Sequence, residues 1–574
     1  MWLLHTLRYL KVRQVLGRAR WHWHRLLGSP SRFAQRRRPP WSGCRWKPIR
    51  EFLPAYVGRN NAGSLARGVF SFINREQQLG WPPRWSCPEL PKLWQYNLHY
   101  FDFIWALGLP DARALAEDWI EQHPLARGQV GWEPYPTSLR LMNWCTFFFG
   151  RHCQAVDADE ELRRQLWGSL FLQAKWLSRH IESHLLGNHL LENAAALAIV
   201  GSCFSGSDAD RWLAQGRRLL ARELAEQVLP DGLHFERSPM YHCRLLHVLL
   251  LLWNAAGEEV ARPLVEPIRK ACAALRVLRH PDGRLALLND SAFGIYHEPD
   301  TLLDHADSIL PHTEGRSSTG PLALPAAGYY GYRLDGDHVV CDAGPIGPDY
   351  IPGHAHGDML SFELSLDGFR VFTDSGVSDY ERSDTRRYCR STAAHNTVEL
   401  GGEDQCEFWA AFRVGRRGRP RDVEWEPLPD GFRLTGWHDG YMRLAGRPRH
   451  ERLFMWHRDG VLLIRDRVTG KSDVDAVARY HLHPDCAVAQ LTDASVRIDY
   501  PGGYCTLTAK GVSGLSVEQS WYCPEFGQVI PRRCICLRSR GQTMEWAVAI
   551  VKGAGCSQLC LTEGATVGNV RYGW

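Results

Sequence analysis

The hydrophobic pattern changes period near residue 325, and that change constrains the fold of this 574-residue chain more than any other feature. Before it, apolar residues recur at three- and four-residue spacing through 109–123, 138–152, 163–186, 190–204, 209–229, 241–257 and 264–278. Such spacing puts an apolar stripe on each of a series of helices, and the Gly, Pro and Asp breaks between them are short. Successive antiparallel helical pairs are expected to form an α/α toroid, an incomplete barrel. Beyond residue 325, short alternating runs such as HVVCDAG, LSFELSLDG, SVRIDY and YCTLTAKG indicate an antiparallel β-sandwich. A chain this long exceeds one ordinary core. The expected organisation is α+β and multidomain: a basic N-terminal extension at 1–60, a toroid at 61–324 and a β-sandwich at 325–574.

A formal net charge of +5 conceals an asymmetry. Residues 1–40 carry Arg8, Lys11, Arg13, Arg18, Arg20, Arg25, Arg32, Arg36, Arg37 and Arg38 with no Asp or Glu; removing those ten charges leaves −5 elsewhere. The body is therefore not a generally basic surface, and no nucleic-acid partner is expected. Leu4, Leu7, Leu10 and Leu16 approximate helical spacing, which leaves two fates open for this leader. It can make peripheral contact with an anionic membrane surface, or pack as an arm on the body. Arg and Lys interrupt its apolar residues, so it does not read as a secretory signal, and no uncharged run reaches spanning length. Seventeen cysteines without paired spacing fit buried thiols in a reducing compartment. Together these favour a cytoplasmic or membrane-associated location, with the cell envelope or periplasm as the alternative.

The densest chemistry lies in GHAHGDMLSFELSLDGFRVFTDSG and STAAHNTVEL, which contain His354, His356, Asp374 and His395. Alternating residues on an extended strand face opposite ways, so the two close histidines are expected to serve different tasks. One can join Asp374 and His395 around a metal while the other faces a substrate; two imidazoles and a carboxylate suit zinc. In the helical half, Asn188 and His189 precede an Ala-rich helix. Donors at a helix N-terminus favour an anion such as a carboxylate, unless Asn188 simply caps the helix. Ser238-Pro239 offers a second helix start, with Tyr241 in its first turn and Arg244 one turn later. That terminus and the arginine would lower the cost of a phenolate, as Tyr241 requires to act as a base near neutrality.

The order of the two halves, with GNHLLEN, SPMYH and GHAHGDMLSFEL…FTDSG…RSTAAHNTV, resembles the heparinase II/III-like family of polysaccharide lyases over residues 90 to 550. The resemblance implies β-elimination on a uronic-acid-containing polysaccharide, an anionic partner, with a structural zinc ion in the β half. By position it implies that Asn188 and His189 engage the uronate carboxylate, that Tyr241 serves as base and acid, and that His354 completes proton transfer. His356, Asp374 and His395 match zinc ligands, and Glu192 matches a glutamate near the active site. Arg244 is a candidate partner of the carboxylate or of the tyrosine, and Tyr380 and Tyr388 are alternatives for a second active-site tyrosine. The basic leader looks more like relatives from bacterial surface-polysaccharide assembly, which implies an envelope polysaccharide or exopolysaccharide.

Removing the C5 proton of a uronate creates a carbanion that its free carboxylate cannot accommodate. Donors from Asn188 and His189 would act as an oxyanion hole, worth about 3 kcal/mol per good donor. Two other functions fit parts of the sequence. A glycoside hydrolase on an α/α toroid would use paired carboxylates, for which Glu133, Glu236 and Asp231 are candidates. A non-catalytic glycan-binding protein of polysaccharide assembly would use aromatic faces, which the 23 Trp supply.

Overall fold

The computed structural model describes residues 2–27, 43–46, 51–126, 128–255, 258–310 and 319–574. Arg32, Arg36, Arg37 and Arg38 of the basic leader lie outside the described residues.

The leader forms two helices, α1 (Trp2–Leu7) and α2 (Val12–Leu27), and one side of them packs on the body. Thr6 Oγ1 donates to the Val414 carbonyl at 3.0 Å, and Gln14 Nε2 to the Tyr350 carbonyl at 3.2 Å. Lys11 and Arg13 pair with Glu226 of the helical half, so the arm touches both halves.

The helical half contains α3 (Lys92–Tyr100), α4 (Leu109–Gln122), α5 (Pro134–Trp144), α6 (Glu160–Leu177), α7 (Gly187–Cys203), α8 (Ser207–Gln227), α9 (Pro239–Ala255), α10 (Val265–Leu278) and α11 (Pro299–Ile309). Every residue of α7 except His189 is buried. A helix apolar on all sides belongs in the middle of such an assembly, and its Ala194-Ala195-Ala196 run lets neighbours come close. Trp94, Trp119 and Trp144 are fully buried, so these rings serve the core, where edge-to-face packing orients them.

Apart from a short hairpin of Val69–Phe72 and Arg75–Gln78 in the helical half, the described strands begin at Gly320. A five-stranded antiparallel meander runs through β1 (Gly320–Leu324), β2 (Tyr329–Leu334), β3 (Asp337–Asp342), β4 (Ser361–Leu366) and β5 (Phe369–Phe372). A ten-stranded antiparallel sheet follows, centred on β6 (Val461–His481) paired with β7 (Ile530–Lys552). Inward side chains of both sheets share one core, with Tyr332, Val339 and Phe362 on one side and Phe454, Trp456 and Ile464 on the other. The runs GVLLIRDRV and ARYHLHPD read as separate strands but form the single strand β6. Its Gly470-Lys471-Ser472-Asp473 segment, which resembles a turn in sequence, lies in a shift of register between Thr469 and Val474.

Buried polar contacts fix the helical half against the β half. His280, just past α10, meets Glu363 of β4 at 3.0 Å and Ser365 at 2.7 Å. Arg370 on β5 reaches Asp282 at 2.7 Å and the Leu285 carbonyl at 2.9 Å. Deeper in the β half, Arg452 binds Asp466 at 2.7 Å and donates to the carbonyls of Leu360 and Asn396, both at 2.7 Å. Those carbonyls belong to the two loops that carry His356 and His395. Arg452→Ala should strand a buried carboxylate and loosen both loops, lowering stability by about 3–5 kcal/mol in urea unfolding.

Candidate active site

Three segments converge between the halves, and each is entered through a residue in the left-handed region. Leu186 (φ +67°) precedes α7, Arg237 (φ +58°) precedes α9, and Asn289 (φ +55°) precedes Asp290. Non-glycine residues adopt this conformation only where the surroundings impose it. Gly187 follows Leu186 at φ +58°; a Cβ there would lie 2.6 Å from Glu236 Oε1, so glycine is what lets the two segments meet. Ser238 Oγ accepts from the Tyr241 backbone N–H at 3.2 Å and donates to the Asp290 carbonyl at 2.6 Å, tying the start of α9 to the third segment.

The Tyr241 and His354 rings are in contact, with centroids 4.0 Å apart and planes inclined by 32°. The Tyr241 hydroxyl lies 3.1 Å from that of Tyr380. His354 Nδ1 bonds Asp290 Oδ2 at 2.8 Å, and its Nε2 lies 3.3 Å from Glu236 Oε2. Burial would neutralise Asp290, but the Arg386 guanidinium and both histidines outweigh it and hold the carboxyl well below the usual range. An ionised Asp290 accepts, so His354 donates from Nδ1, and its Nε2 turns toward Glu236. Burial pushes the Tyr241 phenol well above its ordinary value, and Tyr380 and Tyr296 add to the effect. Tyr241 is a neutral phenol at rest.

Asn188 and His189 occupy the first turn of α7. The cap position belongs to Leu186, so Asn188 does not cap the helix; its backbone N–H donates to Glu236 Oε1 at 3.3 Å. His189 lies 3.2 Å from Glu182 Oε2 and against the Tyr135 ring at 4.4 Å. Burial lowers its basicity, but the Glu182 carboxylate more than compensates and the pKa is raised. Its protonated form is thereby favoured relative to a free imidazole, at a helix start where the dipole already favours an anion.

Several expectations need correction. His354 and His356 do not alternate along a strand: Pro352, Gly353 and Gly357 keep 351–360 in turns before β4. They diverge nonetheless, one toward Tyr241 and the other inward, with Asp290 bonded to both. Arg244 does not support a phenolate at Tyr241. Its guanidinium grips Glu192 at 2.6 and 2.7 Å in a buried ion pair, so neither residue offers a free charge to a substrate. Tyr388, on α12 (Asp384–Arg390), points its hydroxyl at the Trp521 backbone, leaving Tyr380 as the tyrosine beside Tyr241.

Asp290, Arg386 and Glu182 were not legible in the sequence. Arg386 grips both oxygens of Asp290. The available signal was Asp290 itself, a carboxylate inside the apolar run LALLNDSAF, where burial demands a partner.

His356, Asp374 and His395 are all fully buried and offer ligand atoms within 4.8 Å of one another. His356 Nε2 donates to Asp290 at 2.8 Å, which leaves Nδ1 bearing a lone pair with no hydrogen-bond partner. His395 Nε2 is likewise buried without a partner, while Nδ1 contacts Asp374 Oδ2 at 2.7 Å. Orphaned imidazole nitrogens beside a carboxylate, with a second carboxylate orienting one ring, fit a metal ion.

Two family models match this chain: Heparinase II/III N-terminus over residues 113–304 and Heparinase II/III-like, C-terminal over residues 316–551. The chain belongs to the heparinase II/III-like family. It is 24% identical over 398 residues to the heparin-sulfate lyase of Pedobacter heparinus, covering 64% of this chain and 57% of that protein. A heparin-sulfate lyase of Bacteroides thetaiotaomicron is 26% identical over 264 residues, covering 38% of this chain and 37% of that protein. The chain thus spans little more than half the length of the first of these relatives. The crystal structure of heparinase III superposes with a TM-score of 0.70 at 17% identity, covering 86% of each chain. A mutant of heparan sulfate lyase HepC from Pedobacter heparinus gives 0.62 at 18%, covering 98% of this chain and 94% of that one. These two likenesses establish the fold.

Because Glu182 raises the His189 pKa, the cation persists to higher pH than a free imidazolium and is lost as pH rises through the raised value. Glu182→Gln should move that loss to lower pH, which an NMR titration of the His189 ring will read directly.

Proposed function

We propose that this heparinase II/III-like chain is a polysaccharide lyase that cleaves a uronic-acid-containing glycan by β-elimination. The observation that carries the reading is the Tyr241–His354 contact, ring centroids 4.0 Å apart, in the cleft that also holds the start of α7. The relatives named heparin-sulfate lyases support an anionic polysaccharide as substrate, and the basic leader supports a bacterial envelope polysaccharide or exopolysaccharide. We read the helical half as an incomplete α/α toroid and the two facing sheets as a sandwich, dividing near residue 320.

In this reading the uronate carboxylate lies at the start of α7, hydrogen-bonded by the Asn188 side chain and by protonated His189. Charge developing at C5 spreads onto carboxylate oxygens already neutralised there. His354 Nε2 takes the C5 proton, its orientation set by Asp290 on Nδ1. Tyr241, held neutral by burial, gives its proton to the leaving glycosidic oxygen as the C4–O bond breaks, with Tyr380 3.1 Å away to share the phenolate charge.

The hydrolase reading loses its acid–base pair. Glu133 is engaged by Tyr96 and Lys92, Asp231 accepts from Leu233 and Ala327 backbone N–H groups, and Glu236 is buried against His354 and Asn188.

His356, Asp374 and His395 would hold a zinc ion in a structural role, joining the loop before β4, the end of β5 and the 391–397 loop. Bound there, the metal would supply cross-linking and charge neutralisation. His356→Ala should abolish stoichiometric zinc in metal analysis and lower the unfolding temperature before it selectively alters turnover.

Incubation with uronate-containing polymers, the producing cell's own glycan among them, should generate ultraviolet absorbance from an unsaturated uronate. Tyr241→Phe and His354→Ala should each reduce that rate by about 10²–10⁴-fold while leaving glycan binding intact. Cleavage without new absorbance would mean hydrolysis and would overturn the reading.

A further inference from the structure

The leader has two unlike faces. Its inner face is fully used: Gln14 and Gly17 are buried, and a Cβ at Gly17 would lie 2.8 Å from the His184 backbone nitrogen. The Trp21 ring stacks on His184 with centroids 5.3 Å apart. The outer face is apolar. Of fourteen large apolar side chains exposed among the described residues, eight fall within residues 2–23, a concentration that scattered surface exposure does not produce. On α2, Val12, Val15, Leu16, Ala19 and Trp23 are exposed at helical spacing and form one stripe; α1 adds Trp2, Leu3, Leu4 and Leu7.

The chemistry of this stripe selects its occupant. Arg8 and Arg18 are exposed along it, and residues 1–40 contain no carboxylate, so the surface attracts an anionic partner. A second copy docking through the same face would bring like charge against like. Trp2 and Trp23, near opposite ends of the stripe, suit the boundary between water and lipid. No described helix is long and apolar enough to cross a membrane, so the contact would be peripheral. We propose that the outer face of α1 and α2 is a docking surface for an anionic lipid bilayer.

The arm also gives that docking a direction. Gln14 holds the Tyr350 carbonyl, four residues before His354, and Gly17 lies against Ser183 and His184, just before Asn188. A bilayer against the outer face would therefore place the rim of the site beside the membrane surface. This proposal does not depend on the reaction catalysed.

The test uses the purified full chain and sedimentation with two vesicle types, phosphatidylcholine alone and phosphatidylcholine with a third phosphatidylglycerol. Binding is expected only to the anionic vesicles, weakening in high salt. Leu16→Glu combined with Trp23→Ser should reduce it at least tenfold. Arg8→Glu and Arg18→Glu, which leave the stripe intact, should each reduce it about fivefold. Unfolding temperatures measured alongside will show that the exposed substitutions leave the fold unchanged. Failure to bind anionic vesicles, equal binding to both types, or indifference to both sets of variants would overturn the proposal. A dimer in light scattering that Leu16→Glu dissociates, without vesicle binding, would assign the face to a second copy instead and would overturn it equally.

Discussion

Asp290 is the group on which the geometry of the site depends. It is fully buried, and a carboxylate in such a place is tolerated only when its charge is matched and its lone pairs are filled. Arg386 supplies the charge through a two-point grip, and His354 and His356 fill the remaining directions. One anion thereby fixes two histidines with different duties. For each ring it decides which nitrogen carries the proton and so which carries the lone pair. Because Asp290 lies in the helical half, between α10 and α11, while Arg386 and both histidines belong to the β half, the same anion also holds the two regions in register across the cleft.

The two buried arginines nearest the site show how placement separates support from chemistry. Arg244 and Glu192 cancel each other within the helical half, beneath Tyr135 and Tyr296. Arg386 and Asp290 also cancel, but Asp290 at the same time fixes the orientation of the His354 ring through Nδ1. No uncompensated cation faces Tyr241, and its phenol stays protonated. The group whose protonated form is favoured is His189, with Glu182 3.2 Å behind it. The surroundings thus favour protonation of His189 at the start of α7, while the Tyr241 phenol has only tyrosines and no cation to lower its pKa.

The change from helical to alternating pattern was legible because it repeats over hundreds of residues and each period reports directly on burial. His354, His356, Asp374 and His395 stood out because their residue types cluster in one stretch of sequence, whereas Tyr241 stood out only through the SPMYH segment at a helix start. What escaped was pairwise. Asp290 lies 64 residues from His354 and 96 from Arg386, and no local pattern announces a partner at that range. The same blindness made Arg244 look like a partner of Tyr241, since one helical turn separates them, whereas its guanidinium is committed to Glu192, 52 residues away. The choice between Tyr380 and Tyr388 failed for a different reason: eight residues apart, they differ only in how the chain enters α12.

The strained residues complete the physical account. Leu186, Arg237 and Asn289 each hold a conformation costing on the order of 1–3 kcal/mol, and each immediately precedes a segment that contributes to the site. The cost is offset by what surrounds them, namely the fully buried length of α7, the Ser238 cap on α9 and the ion pair at Asp290. A chain free to relax at these joints would swing Asn188, Tyr241 and Asp290 away from one another. The packed helices and the Arg386 grip hold them in place, so the groups stand together before any ligand arrives. That prior arrangement is what an elimination needs, since its intermediate charge must find donors already aimed at it.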